Sequence, residues 1–366
     1  MQKTQIKKKN FKPIAIDLFC GGGGLSVGLK QAGFQIVAAV ELNEPAYRTY
    51  KANHRKVKVF LQDITCITGK ELLQTSPTHN IDLIAGCPPC QGFSSLTAKY
   101  KKDDPRNKLI LEMLRIIKEV NPKAVMLENV PGLIIRGNTI FNYFVTELKK
   151  LNYVVNYDVL QVADFGVPQK RKRLVLLAGK NFAINIPSPQ YSETGINRLK
   201  KWRTVRDFIY KLASPVNWKY AQNNGGPAAF SWNVVRDITE INKMRLSYAL
   251  PGAPRSLIPD NLRPPCHRNN GGFSNVYGRL SWDAPSSTIT GGCTTPSKGR
   301  FGHPTELRTI SVREAALLQT FPKNYKFATT KIDEACTIIG NALPCLFAKA
   351  VSKQCYVALK QHSTTK

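Results

Sequence analysis

Acidic residues are scarce in this chain. Its 24 Asp and Glu face 53 Lys and Arg, a formal charge of +29 over 366 residues. Set against a merely lysine-rich proteome, an excess of this size favours a polyanionic partner, either nucleic acid or an anionic membrane surface. Long apolar runs are missing as well: nothing reads as a membrane span. The segment after the basic Lys7-Lys8-Lys9 stretch is short and interrupted by Asp17, which argues against a signal peptide. Cysteines number nine, at irregular spacing, so a disulfide framework is not expected and a reducing cytosol is. No second C-x-x-C or H-x-x-x-H accompanies Cys87 and Cys90, which leaves a zinc site without its other ligands. The glycine run 21–24 departs from the strict G-x-G-x-x-G rule, and no Gly-Lys-Ser/Thr follows it, so neither a dinucleotide fingerprint nor a P-loop is present.

What is there begins with residues 81–95, IDLIAGCPPCQGFSS. The apolar run predicts a buried strand that opens into a loop stiffened by Pro88 and Pro89. That mount holds Cys90 at the carboxyl edge of a sheet, where open α/β sheets place their ligands. Three readings compete for Cys90: a buried structural thiol, a redox or metal-binding pair with Cys87, and a nucleophile. The last needs a rigid mount, charges that favour thiolate and a partner acid.

In chain order, residues 1–12 form a basic tail. The run Ile14–Cys20, four glycines and a helical pattern from Leu25 predict strand, loop and helix, the opening of a nucleotide-binding α/β domain. A second strand ends at Glu41, placed to accept from ribose hydroxyls, and Asp63 follows a third apolar stretch. This pattern suits an adenosyl ligand better than a pyrophosphate. Residues 99–108 are charged and read as a mobile surface loop able to close over substrate. A helix over 108–120 stops at Asn121-Pro122. The next strand ends at Glu128, which is either an exposed turn residue or, if the strands run parallel, a carboxylate beside Cys90. A helix near 138–150 and strands near 153–160 and 174–178 follow. The run Lys170-Arg171-Lys172-Arg173 is either a solvated face or, by alternation, two arginines on one side able to grip a phosphate or base edge.

Near residue 182 prolines, asparagines and tryptophans become frequent and helical periodicity weakens, predicting a second, loop-rich domain. Arginines scattered among aromatics there suit nucleic acid. Residues 280–292 read as a strand and turn, 311–320 as a capped helix, and the last helix as a return to the first domain. The division expected is 1–12 tail, 13–182 catalytic and cofactor domain, 183–330 target recognition and 331–366 completing the first domain.

Jointly, DLFCGGGGLS at 17–26, Glu41, Asp63, GCPPCQGFS at 86–94, ENVPG at 128–132, QKRKR at 169–173, RLSWDAPSSTITGG at 279–292 and GNALP at 340–344 resemble the DNA cytosine-5 methyltransferase family of bacterial restriction-modification type. The resemblance implies an α/β fold: a Rossmann-like S-adenosylmethionine-dependent methyltransferase sheet with a smaller, loop- and strand-rich target-recognition domain. It implies S-adenosylmethionine as cofactor, with S-adenosylhomocysteine as product and no metal. Phe19, Gly21, Gly24, Glu41, Asp63, Ile64, Pro89, Leu109, Asn341 and Ala342 match positions around the cofactor. Cys90 matches the nucleophile, Glu128 the acid that grips the base, and Arg171 and Arg173 the pair beside the target. The implied reaction is methylation of carbon 5 of a flipped-out cytosine in double-stranded DNA through a covalent cysteine adduct. Residues 91–108 would be the lid and roughly 183–275 the sequence reader. A monomer in the cytoplasm at the nucleoid is expected, with a cognate restriction endonuclease as a functional counterpart and no membrane. Methylation of transfer RNA is the alternative reading, and a catalytically silent DNA-binding module a third. Exocyclic amino methylation is disfavoured, since such enzymes carry an aromatic where this chain has Cys90.

Overall fold

Apolar runs bounded by turns lay down a seven-stranded sheet in the computed structural model, which describes residues 11–89, 105–253, 257–268 and 275–364. Cys90 and residues 91–104 of the expected lid lie outside the described residues. The strands are β1 (Ile14–Leu18), β2 (Gln35–Glu41), β3 (Lys58–Leu61), β4 (Leu83–Gly86), β5 (Ala124–Asn129), β6 (Tyr153–Gln161) and β7 (Lys172–Lys180), in the order β3-β2-β1-β4-β5-β7-β6. Strands β1 to β5 pair in parallel, and both faces of their middle members are covered, which is why they read as mostly apolar stretches rather than alternating ones. β7 runs antiparallel to both β5 and β6. Its first residues therefore lie at the edge where β1, β4 and β5 end, and the strand order reverses between β1 and β4 at that same edge.

Six helices interleave with these strands: α1 (Gly24–Ala32), α2 (Glu44–Asn53), α3 (Gly69–Leu73), α4 (Leu109–Val120), α5 (Gly132–Ile135) and α6 (Asn138–Lys150). α4 buries Ile110, Met113, Leu114, Ile116, Ile117 and Val120 and ends where Asn121 takes a left-handed φ of 51° ahead of Pro122. Beyond β7 come two-residue strand pairs and the helices α7 (Arg206–Ile209), α8 (Trp218–Asn223), α9 (Glu240–Tyr248), α10 (Val312–Leu318), α11 (Ile332–Asn341) and α12 (Cys345–Thr364). α10 starts on a capping box, Ser311 with Glu314, as its sequence predicts. Residues 280–292 form no continuous strand. Pro285 has no N–H to donate, and the only strand-like pairing within the segment among the described residues is the single bridge from Gln169 to Ser286. A core made from residues between Val205 and Cys345, with Trp232 fully enclosed, also takes in Val27 of α1 and Ala46 of α2.

The apolar stretch Ile332–Ser363 is long enough to cross a membrane, but it comprises two helices, and 72% of its most apolar window is buried inside the protein. α12 crosses α1 so closely that a Cβ at Gly28 would lie 2.4 Å from Ala348 Cβ and 2.5 Å from Lys349 N. Beneath this contact Asp17 of β1 is fully buried. Its Oδ2 accepts from Ser26 Oγ at 2.6 Å, Ser26 Oγ also meets Tyr50 Oη at 2.6 Å, and Asp17 Oδ1 has no partner. Burial pushes the Asp17 pKa up to about 7.

Two outcomes follow from this packing. Gly28→Val should destabilise the protein by about 1–3 kcal/mol through overpacking against α12, read as a lower urea midpoint. Asp17 binds its proton more tightly folded than unfolded, so its favourable contribution is complete below about pH 4 and is lost as pH rises to about 7. Asp17→Asn should therefore gain stability relative to wild type across that window, by up to about 4 kcal/mol. Parallel pH slopes for the two proteins in urea unfolding would contradict the assignment.

Candidate active site

Two groups of residues meet at the carboxyl edge of the sheet. The first surrounds the turn after β1. Phe19 holds a left-handed φ of 59°, unusual for a bulky residue, and Gly21 follows at 52°. The glycines were read as giving a ligand access to backbone, and only Gly21 fits that reading: nothing lies within 4 Å of where its Cβ would be. A Cβ on Gly22 would meet Ile338 at 2.3 Å, on Gly23 His54 and Tyr325 at 2.5 Å, and on Gly24 the Leu343 carbonyl at 2.6 Å. Three of the four therefore serve close packing. His54 is a buried brace here, joined to Tyr325 Oη at 3.1 Å and Lys30 Nζ at 2.6 Å, and burial pushes its pKa down to about 3.

Glu41 ends β2 with both oxygens engaged, accepting from Gly21 N and Asn43 N at 2.7 Å each. Burial raises its pKa. Asp63 caps the turn Ile64–Cys66 by accepting from Thr65 N at 2.9 Å and Thr65 Oγ1 at 2.8 Å. Ile64 is buried in the sheet core, and Arg115 of α4 donates to its carbonyl at 2.8 Å. Leu109, half-buried, opens α4. Ala342 follows α11 directly against Gly24, and Asn341 is the exposed last residue of that helix. Pro89 is the last described residue before Cys90. The open Gly21 face, with the Glu41 carboxylate beside it, fits an adenosyl ligand approaching the β1–α1 turn.

The second group lies at β4, β5 and β7. Gly86 pairs with Leu127, so the Pro-Pro loop leaves the sheet beside Glu128. Glu128 is buried, and its Oε1 lies 2.8 Å from Arg173 Nε in an ion pair whose side chains are 9% and 13% exposed. Of the two readings of Glu128, the exposed turn residue is thereby excluded. Asn129 Nδ2 donates to the Pro88 carbonyl at 3.0 Å and fastens the loop that carries Cys90. Cys87 sits against this cluster, and its pKa is raised by burial and then by the Glu128 charge, with Arg173 opposing.

Alternation into β7 is as read: Lys170 and Lys172 are exposed, Arg171 is buried and Arg173 mostly so. The two arginines have different partners. Arg171 is turned to backbone, donating from Nη1 to the carbonyls of Ile289 at 3.1 Å and Gly340 at 3.3 Å, while its Nε is buried without a partner. Two buried glutamines complete this joint. Gln169 accepts from Ile289 N at 3.1 Å and donates to Gln319 at 2.9 Å, and Gln319 donates to Ile339 O and Ala342 O. Sequence reading missed the two glutamines and Asn129. Gln169 and Asn129 stand inside quoted motifs, but no local pattern marks partners so distant in the chain.

The model of the C-5 cytosine-specific DNA methylase family matches residues 14–357. The Type II methylase M.HgiDII of Herpetosiphon aurantiacus is 35% identical over 344 residues, covering 92% of this chain and 93% of that one. The Type II methyltransferase M1.HphI of Haemophilus parahaemolyticus is 34% identical over 346 residues, covering 92% and 85%. Among solved structures, S. pombe Dnmt2 methyltransferase superposes with a TM-score of 0.64 at 19% identity, covering 96% of this chain and 99% of that one, a likeness of fold. On the length of that match, and with the sheet and its edge residues in place, the chain belongs to the C-5 cytosine-specific DNA methylases, as a DNA cytosine-5 methyltransferase of S-adenosylmethionine-dependent fold.

Proposed function

We propose that this enzyme methylates carbon 5 of a cytosine turned out of a specific double-stranded DNA sequence, with Cys90 as a transient covalent nucleophile. The observation that carries the reading is the buried Glu128–Arg173 pair at the end of β5, beside the loop that Asn129 ties down at Pro88. Carbon 5 of cytosine is a weak nucleophile. Addition of the Cys90 thiolate at carbon 6 moves electron density to carbon 5, and Glu128 eases that addition by protonating or hydrogen-bonding ring nitrogen 3. Arg173 orients the Glu128 carboxyl and adds positive charge that favours thiolate. Arg171 works beside it by holding the Ile289 and Gly340 backbone in place. When carbon 5 has accepted its methyl group, loss of its proton expels Cys90 and restores the aromatic ring.

S-adenosylmethionine, when bound, supplies an electrophilic methyl on a sulfonium. Gly21 offers it an open approach, and Glu41, at the end of β2, faces its ribose. Phe19, Gly24, Asp63, Ile64, Pro89, Leu109, Asn341 and Ala342 complete its surroundings. A base within a duplex is inaccessible at carbon 6, so it must be extruded, at a cost of a few kcal/mol that DNA contacts offset. Residues 91–108 are the proposed lid and about 183–275 the reader, within a target-recognition domain spanning 183–330. Residues 13–182 and 331–366 form the catalytic domain, and 1–12 a basic tail. The relatives' names support a Type II modification role. With it go a monomeric enzyme in the cytoplasm at the nucleoid and a cognate endonuclease as functional counterpart.

Cys90→Ala should abolish methyl transfer to duplex DNA while leaving DNA binding in place. Duplex carrying 5-fluorocytosine at the target should trap a denaturation-resistant adduct with the wild type and none with the variant; an adduct that persists without Cys90 removes the nucleophile assignment. Glu128→Gln should slow single-turnover methylation by about 10²-fold or more, and a wild-type rate would end its role as acid.

A further inference from the structure

Away from the sheet edge, a cavity of about 300 Å³ opens between α7, the 230–233 turn and α10. Its walls include Phe208, Phe230 and Leu317; its cations are Lys211, Lys323 and Arg313, and no carboxylate lines it. The two lysines are exposed and form no ion pair among the described residues, whereas Arg313 is only 4% exposed. Arg313 donates from Nε to the Ser231 carbonyl at 2.7 Å and from Nη2 to the Tyr325 carbonyl at 2.9 Å. Its Nη1 is buried with no hydrogen-bond partner among the described residues, and the guanidinium lies over the Phe327 ring at 5.6 Å. A guanidinium held this firmly, with one buried donor unanswered, keeps its full positive charge at the cavity wall. Burial pushes its pKa down to about 10, the cost to be expected of an incompletely paired cation. The wall beside it is strained too, since Ser231 and Trp232 both hold left-handed φ, at 51° and 63°.

We propose that this cavity binds a free nucleoside monophosphate, with the phosphate between Arg313, Lys211 and Lys323 and the base against Phe208 and Phe230. Three cations lining one cavity suit a phosphate dianion better than a single carboxylate, and guanidinium is well matched to phosphate oxygens. Aromatic walls accept the flat face of a base. The volume is at the lower end for small-molecule sites and suits one nucleotide unit.

Isothermal titration tests this with thymidine 5′-monophosphate, thymidine and inorganic phosphate, each at saturating S-adenosylhomocysteine so that the cofactor site is filled. Thymidine monophosphate should bind with a Kd below about 1 mM, and the other two about tenfold more weakly or worse. The double variant Lys211→Glu/Lys323→Glu, checked for an unchanged unfolding midpoint, should weaken that binding about tenfold. Arg313→Gln should do the same if it folds, but the exposed lysine pair decides the matter. Monophosphate binding no tighter than inorganic phosphate, or undiminished in the double variant, overturns the proposal. So does loss of duplex DNA affinity in the double variant when the free monophosphate does not bind, which would give the lysines to the DNA backbone.

Discussion

One buried ion pair organises the catalytic edge. Glu128 and Arg173 meet at 2.8 Å where water is largely excluded. Removing two charges from water is expensive, and truncating one partner of such a pair typically costs about 3–5 kcal/mol because the other remains buried and unpaired. The pair exists because β7 runs against β5. Had β7 been parallel, its opening arginines would stand at the opposite edge of the sheet, remote from the Pro-Pro loop. The direction of one strand thus brings an acid and a cation together beside the loop that carries Cys90.

The glycine turn after β1 shows how the same residues answer to packing and chemistry together. Gly21 leaves open space, whereas Gly22, Gly23 and Gly24 let Ile338, Tyr325 and Leu343 press against the turn. The turn after β1, where the cofactor is proposed to approach, is therefore built partly from α11 and its following residues. Arg171 and the Gln169–Gln319 joint bind the same returning segment to the catalytic strand.

Much of this was legible from residue pattern. Unbroken apolar runs such as Leu83–Gly86 and Ala124–Leu127 mark buried parallel strands, and Asn121-Pro122 marks the end of α4. The side-to-side alternation of Lys170 to Arg173 was readable because a strand repeats every two residues. Strand direction was not, since Leu174–Ala178 looks alike from either end and the parallel or antiparallel choice is made by the whole sheet. Nor could Arg171 be told from Arg173, because their partners come from distant parts of the chain. The reading of 280–292 as a strand failed where Pro285 broke the ladder. Cys90, the residue on which the proposed chemistry turns, lies outside the described residues, and its place is inferred from the strand before it and the Asn129 tie at Pro88.

The crossing of α12 over α1 bears on how this chain emerges from the ribosome. The outer side of α1 and the part of β5 and β7 under α12 stay uncovered until residues beyond Cys345 have left the exit tunnel, because Ala348 and Lys349 are what Gly28 packs against. The Gly340 carbonyl that anchors Arg171 also arrives late. A nascent polypeptide thus carries Glu128 and Arg173 long before the Gly340 segment that anchors Arg171 is there to close around that edge.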